Sequence, residues 1–185
     1  MTSTTAAEAG YAFDEAALAS LPTFLQDSLA VMGLKLRPLS ASDYVKGHLE
    51  LLSTLTLAPD LGAQAWLDRF NELKQTRATY YPLVIVDTGS DQLVATGTLV
   101  VERKFLRGAG LVGHIEDISV SPSQQGKGLG KILIRALSAL SEELGCYKSI
   151  LDCDPKNEAF YAKCGYENKG VGMSRYKTKP SFKAN

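Results

Sequence analysis

The sequence predicts an α/β fold, a mixed and mostly antiparallel sheet flanked by helices, and three observations point there. Strand-like and helix-like stretches follow one another as strand, helix, helix, antiparallel strands, then strand, helix, strand, helix, strand, the order of a mixed sheet. Two long apolar stretches joined at Thr88–Asp91 read as a hairpin. A β-rich segment, a Ser-Pro-Ser turn and a loop with alternate glycines, Gly126, Gly128 and Gly130, then run straight into a helix. That arrangement sets bare backbone N–H groups and the positive end of a helix dipole where an anion can reach them.

The 185 residues are 45% hydrophobic and 22% charged, enough for one good core and more consistent with one domain than two. Twenty Lys plus Arg balance twenty Asp plus Glu. No global field therefore gathers nucleic acid or an anionic membrane, and any phosphate selectivity must be local. Cys146, Cys153 and Cys164 are an odd set without Cys-x-x-Cys spacing, so neither a disulfide framework nor a zinc site is expected, and a reducing, cytoplasmic setting is the simpler one. Residues 1–33 read as an N-terminal extension. Asp14, Glu15 and Asp27 interrupt its apolar positions, which argues against a secretion signal, a transit peptide or a membrane span. It is either a partly disordered tail or a segment docked through Phe13, Leu18, Leu21, Phe24 and Leu25.

A single domain is expected over 34–185. It starts with an alternating strand, Leu34 to Leu39. Ser40, Ser42 and Asp43 supply cap residues for a helix from Tyr44 to Thr54. A second helix opens at Pro59-Asp60, with Trp66, Leu67, Phe70 and Leu73 as its core stripe. Pro82–Asp87 and Gln92–Glu102 form the hairpin, and Arg107–Gly110 leads to the central strand. In Val112–Val120 the apolar residues do not keep a period of two, because Ile115 and Ile118 lie three apart. Burial on both faces would explain this, and so would a bulge at Glu116 and Asp117, the preferred expectation, which turns two consecutive groups toward a site. Ile132, Leu133, Ala136, Leu137, Leu140 and Leu144 are the stripe of the following helix, which Gly145 ends. Ser149–Cys153 is a short strand, Asp154-Pro155 caps and opens a helix that stops at Gly165, and Tyr166 to Lys177 is a last strand or hairpin.

The glycine loop decides the chemistry. A P-loop needs four residues between its glycines and a Ser or Thr after the lysine; here three intervene and Ile132 follows Lys131. A dinucleotide fingerprint needs a glycine where Lys131 stands. What fits is Gln-x-x-Gly-x-Gly at Gln125, Gly128 and Gly130, and here the chain resembles the GNAT superfamily of acetyl-CoA-dependent N-acetyltransferases. Asn157, Phe160-Tyr161 and Gly165-Tyr166 resemble that family's second signature. Glu102-Arg-Lys104, Gly113–Asp117, Gly126–Lys131, Gly145–Lys148 and Leu151–Asp154 together resemble the eukaryotic glucosamine 6-phosphate N-acetyltransferases, over Leu34 to Tyr176.

The resemblance implies a GNAT fold whose bulge splays the central strand from its parallel neighbour. It implies that acetyl-CoA is the cosubstrate, with its pyrophosphate on the amides of Gln125, Gly126, Lys127, Gly128, Leu129, Gly130 and Lys131. Its thioester and pantetheine arm would lie along Asp117, Ile118 and Val120, with Asn157 and Tyr161 completing the cofactor set. Amine attack on a thioester needs a positioned neutral amine, donors for the oxyanion and an acid for the thiolate. Tyr161 is the implied acid, Glu116 and Asp117 orient the ammonium and carry its proton away, and Asp152 contacts the amine. Ser53 and Thr54 are implied sugar contacts, and Lys104, Phe105, Leu106, Arg107 and Arg175 the phosphate end. Arg175 stands one position before Tyr176, which takes the family's arginine column in some registers. A homodimer with shared acceptor sites is implied as well. Each of these groups also has a plain structural role: Tyr161 packs on Phe160, Glu116 and Asp117 pair at a strand edge, Ser53 and Thr54 close a helix end, and the cations are solvated.

His114 invites a metal through His-x-Glu-Asp, but adjacent strand residues face opposite sides and no second histidine fits, so no metal is expected. The cysteines read as small hydrophobes. Two other classes stay open: a GNAT enzyme acting on a protein or polyamine amine, and a non-catalytic acyl-CoA-binding module.

Overall fold

A computed structural model describes residues 10–177. The chain divides into two compact units, Met1–Leu151 and Asp152–Asn185.

The first unit is built on five strands in the spatial order β1 (Leu34–Pro38), β2 (Tyr80–Asp87), β3 (Leu93–Arg103), β4 (Leu111–Val120) and β5 (Cys146–Ile150). Neighbours are antiparallel except β4 and β5, which run parallel, so the sheet is mixed as the element order requires. The helix α1 (Thr23–Val31) precedes β1, α2 (His48–Leu52) and α3 (Ala63–Gln75) follow it, a strained turn α4 (Leu106–Ala109) closes the β3–β4 connection, and α5 (Leu129–Glu143) crosses between the two parallel strands. One sheet face packs on α5: Leu133, Ile134, Leu137 and Leu140 are fully buried, with Leu99 of β3 and Ile115 of β4 also inside. The other face buries Val84, Val86 and Leu93 with Leu39, Leu51, Trp66 and Phe70. Alternation along β2 and β3 thus feeds two cores, one per face.

Before β1, Ala12 N–H donates to Leu39 C=O at 2.8 Å and Ala41 N–H to Gly10 C=O at 3.0 Å. Leu18, Leu21 and Leu25 are buried, Phe13 is partly buried edge-on to Tyr81, and Phe24 is half exposed under the Arg135 guanidinium. Residues 11–31 therefore pack on the body. A buried fork anchors this corner, since Arg37 pairs through both terminal nitrogens with the Asp43 carboxylate at 2.7 Å each.

Several boundaries differ from expectation, and the second helix is one of them, since it starts at Ala63 after Gly62 and not at Pro59-Asp60. The helix expected over 44–54 is split into a 3-10 turn (Asp43–Lys46) and α2 by Gly47, whose φ of 88° no right-handed helix tolerates. The strand expected at 149–153 lies at Cys146–Ile150, because Gly145 ends α5 in a left-handed conformation and pairing with β4 begins at once. No strand forms over Tyr166–Lys177, where the expected last strand falls: Tyr166 N–H donates to Tyr161 C=O at 3.1 Å, closing the end of the helix, and the stretch is exposed from Glu167 on.

The second unit holds a capped turn, Pro155–Asn157, and a short helix α6 (Glu158–Ala162) ended before Gly165. Asp154 accepts from Lys156 N–H at 3.0 Å, the expected cap.

Candidate active site

The bulge forms where the broken period places it. Thr98 pairs with Glu116 and Thr96 with Ser119, so Gly97 alone opposes both Asp117 and Ile118. Asp117 takes φ 55°, a left-handed conformation that Asp tolerates better than most side chains. The bulge also explains a glycine the periodicity did not single out: a Cβ at Gly97 would collide with Ile118 and crowd Leu133 and Leu137 of α5. Ser119 is pinned beyond the bulge, its hydroxyl donating to Leu51 C=O at 2.6 Å. Glu116 and Asp117 are exposed and Ile118 is partly so.

Pairing between β4 and β5 ends at His114–Ile150, although β4 continues to Val120. Among the described residues, the stretch from Ile115 to Val120 therefore has a strand neighbour on its β3 side only. This is the splay that the resemblance implies, and it leaves main-chain donors and acceptors on an open edge.

That edge leads to the glycine loop. Gly126 has φ 79° and Gly128 φ 84°, with Gly128 as N-cap of α5, and a Cβ at either would meet open space within 4 Å. Gln125 Nε2 donates to Val120 C=O at 3.2 Å, closing the turn between strand and loop, and Lys127 donates to Gln124 at 2.8 Å. Leu129 is buried and roots the helix, while Gly130 and Lys131 are partly buried in its first turn. The cradle suits a diphosphate: close approach, first-turn amides and a dipole end, with lysines beside it.

Under α2 and α3 lies a cavity of about 490 Å³, walled by apolar side chains including Leu52, Trp66 and Phe70, with His48, Thr96, Thr98, Glu116 and Asp117 as polar lining. Trp66 is core, stacked on Phe70, as its spacing predicts, yet it also lines this space. Its Nε1–H donates to His48 Nδ1 at 3.1 Å, which leaves the hydrogen on Nε2, 3.4 Å from Thr96 Oγ1. Burial holds His48 neutral, with its pKa lowered to about 4. Sequence periodicity gave no signal for this chain of bonds, because its members come from three elements.

The sugar and phosphate candidates are placed less simply. Ser53 Oγ donates to Glu50 C=O at 2.7 Å, and Thr54 Oγ1 donates to Leu51 C=O at 2.8 Å and lies 2.7 Å from Ser119 Oγ; both close the end of α2. Lys104 Nζ sits 2.6 Å from Glu102 Oε1, and Arg107 lies over the Tyr147 ring at 5.7 Å with φ 56°. Phe105 and Leu106 are exposed.

In the second unit, Tyr161 is partly buried, with its ring edge-on to Phe160 at 5.0 Å and to Tyr166 at 6.5 Å. Burial, then Cys153, Cys164 and Tyr166, raise its phenol above the usual range, so it keeps its proton at neutral pH. Asp152, Asn157 and Arg175 are exposed, and a Cβ at Gly172 would come within 3.6 Å of the Asp152 carboxylate. Among the described residues, no group of three or more His, Cys, Asp or Glu is placed to hold a metal, and no helix is long and apolar enough to cross a membrane.

Comparison with known proteins places this geometry. Residues 48–166 match the model of the acetyltransferase (GNAT) family. Glucosamine 6-phosphate N-acetyltransferase 1 of Dictyostelium discoideum is 44% identical over 148 residues, covering 80% of this chain and 94% of that protein. The Candida albicans glucosamine 6-phosphate N-acetyltransferase is 43% identical over 141 residues, covering 76% of this chain and 94% of that protein. The crystal structure of glucosamine-6-phosphate N-acetyltransferase from Arabidopsis thaliana superposes with a TM-score of 0.76 at 40% identity, covering 78% of this chain and 99% of that one. With the bulged strand, its open edge and the glycine cradle in place, the chain belongs to the acetyltransferase (GNAT) family.

Proposed function

We propose that this chain transfers the acetyl group of acetyl-CoA directly to the amine of glucosamine 6-phosphate, a step toward UDP-N-acetylglucosamine. The observation that carries the reading is the open edge of β4 from Ile115 to Val120 running into the left-handed glycines at 126 and 128. The substrate follows from relatives that carry this activity in their names, two of them 44% and 43% identical.

In this reading the amides from Gln125 to Lys131 hold the diphosphate, and the free edge at Asp117, Ile118 and Val120 holds the pantetheine arm as a strand would. Exposed amides at the bulge donate to the developing oxyanion, whose charge the protein meets without reorganising. Glu116 and Asp117 hold the ammonium and take its proton, with Asp152 as a further amine contact. Tyr161, protonated at neutral pH, gives its proton to the departing thiolate, and Asn157 belongs to the cofactor set. The segment Lys104 to Arg107 and Arg175 meet the sugar phosphate, and Ser53 and Thr54 meet the sugar. No metal takes part. We place the enzyme in the cytoplasm as a homodimer.

The experiment is thiol release from acetyl-CoA with glucosamine 6-phosphate, glucosamine, spermidine and a lysine peptide offered separately. The sugar phosphate is expected to be preferred. Reaction with the peptide alone would sink the sugar assignment, and no reaction with any amine would leave a binding module.

A further inference from the structure

The proposed transfer produces a proton that needs an exit. An ammonium that becomes an amide loses two protons; one ends on the thiol, and the other must leave the site. Glu116 is the first acceptor in the reading above, on which this inference rests, and it must be emptied before the next turnover.

Two residues along β4 on the same face stands His114. Glu116 pairs with Thr98, His114 with Val100 and Val112 with Glu102, so Glu116, His114 and Glu102 stand in three successive rows leading away from the bulge. His114 Nε2 lies 2.9 Å from Glu102 Oε2, and Glu102 Oε1 lies 2.6 Å from Lys104 Nζ. The hydrogen bonds from Lys104 and then His114 hold the Glu102 carboxyl below its usual range, so at neutral pH it is an acceptor only. Its partner nitrogen Nε2 must then carry the hydrogen, and neutral His114 keeps its lone pair on Nδ1, the tautomer a base requires. Same-face neighbours two residues apart on a strand lie about 6.6 Å apart at Cα, a spacing across which a water can link their side chains. The side chain of His114 is 30% exposed, so a proton arriving there has a way to solvent. The charged groups around it are Glu102 and Lys104 of β3, Glu116 of its own strand, Lys148 opposite Val112 on β5, and Arg69 of α3, which lines the cavity with Glu116.

We propose that His114, oriented by Glu102, relays the proton that Glu116 takes from the acceptor ammonium and releases it to solvent. The N–H bond of the ammonium breaks, an O–H bond forms on Glu116, and the proton passes through water to Nδ1 of His114. The imidazolium so formed stays paired with Glu102 until it gives the proton to bulk water. His114 does not touch the acetyl donor; it acts through Glu116.

The test uses the full chain with acetyl-CoA and glucosamine 6-phosphate, comparing kcat and KM over about pH 5.5 to 9, a range that brackets an imidazole. In the parent, kcat is expected to fall toward acid. His114→Gln keeps a donor for Glu102 but has no relay nitrogen; its kcat is expected to drop about 100-fold and lose that acid limb. KM for acetyl-CoA is expected to stay within about twofold, and added imidazole to restore part of kcat. A His114→Gln enzyme with the parent's kcat and pH profile overturns the proposal. So does an inactive variant that imidazole restores at no pH. If the parent ignores glucosamine 6-phosphate, the substrate assignment falls instead, and the same profiles on the amine it does accept decide the relay.

Discussion

Ser119 donates its hydroxyl hydrogen to the carbonyl oxygen of Leu51 at 2.6 Å, tying the strand just past the bulge to the last turn of α2. Thr54 joins this knot, 2.7 Å from Ser119 Oγ. Ser119 is 2% exposed, so water cannot replace the bond. Ser119→Ala is expected to lower unfolding stability by about 1–2 kcal/mol, measured as the urea midpoint at constant slope. An unchanged midpoint would show that the knot adds nothing.

Gly128 caps α5 at φ 84° over open space, so a side chain there meets backbone strain and points toward the proposed phosphate path. Gly128→Asp is expected to raise the acetyl-CoA dissociation constant by more than about tenfold, from lost cradle geometry and like-charge repulsion. Calorimetric titration checks this, and an unaltered constant would place the diphosphate elsewhere.

Tyr161 keeps its phenolic proton because burial, Cys153, Cys164 and Tyr166 all oppose ionisation. Tyr161→Phe retains the ring contacts with Phe160 and Tyr166 and removes only the hydroxyl. A fall in kcat of about 100-fold is expected, with acetyl-CoA binding within about twofold. Equal kcat in variant and parent would remove the acid role.

His48 is neutral when folded, and its pKa is lowered to about 4 by burial. The unfolded chain binds the proton at a pH where the native state does not, so this group costs stability as pH falls from about 6.5 toward 4 and nothing above that window. The total is about 3 kcal/mol, an order-of-magnitude figure. His48→Gln is expected to flatten that part of the pH–stability curve relative to the parent. Parallel curves for the two proteins would contradict a buried neutral imidazole.

What could be read in advance had local causes. The hairpin, the stripe of α5, the bulge and the glycine loop each show in a few consecutive residues, because period, turn chemistry and left-handed glycines act within one element. The break at Gly47 was missed because the polar and apolar pattern of 44–54 runs through it without interruption. The requirement for Gly97 depends on Ile118 and Leu137, far along the chain, and no spacing rule encodes it. The chain from Trp66 through His48 to Thr96 likewise joins residues from three elements. The last strand was inferred from Tyr166 to Lys177 alone, and strand character needs a partner that a single segment does not supply. Among the site residues, Lys104 read as a solvated or phosphate-binding cation, while its actual neighbour, Glu102, was visible two residues away only as part of a motif.

Because β5 stops opposite His114 while β4 runs on to Val120, the native sheet is one edge short of saturation. A cosubstrate lying there would be read by the protein as missing secondary structure. Those amide hydrogens of Ile115 to Val120 that point away from β3 should then exchange with solvent more slowly as occupancy rises, and the melting temperature should climb with acetyl-CoA concentration.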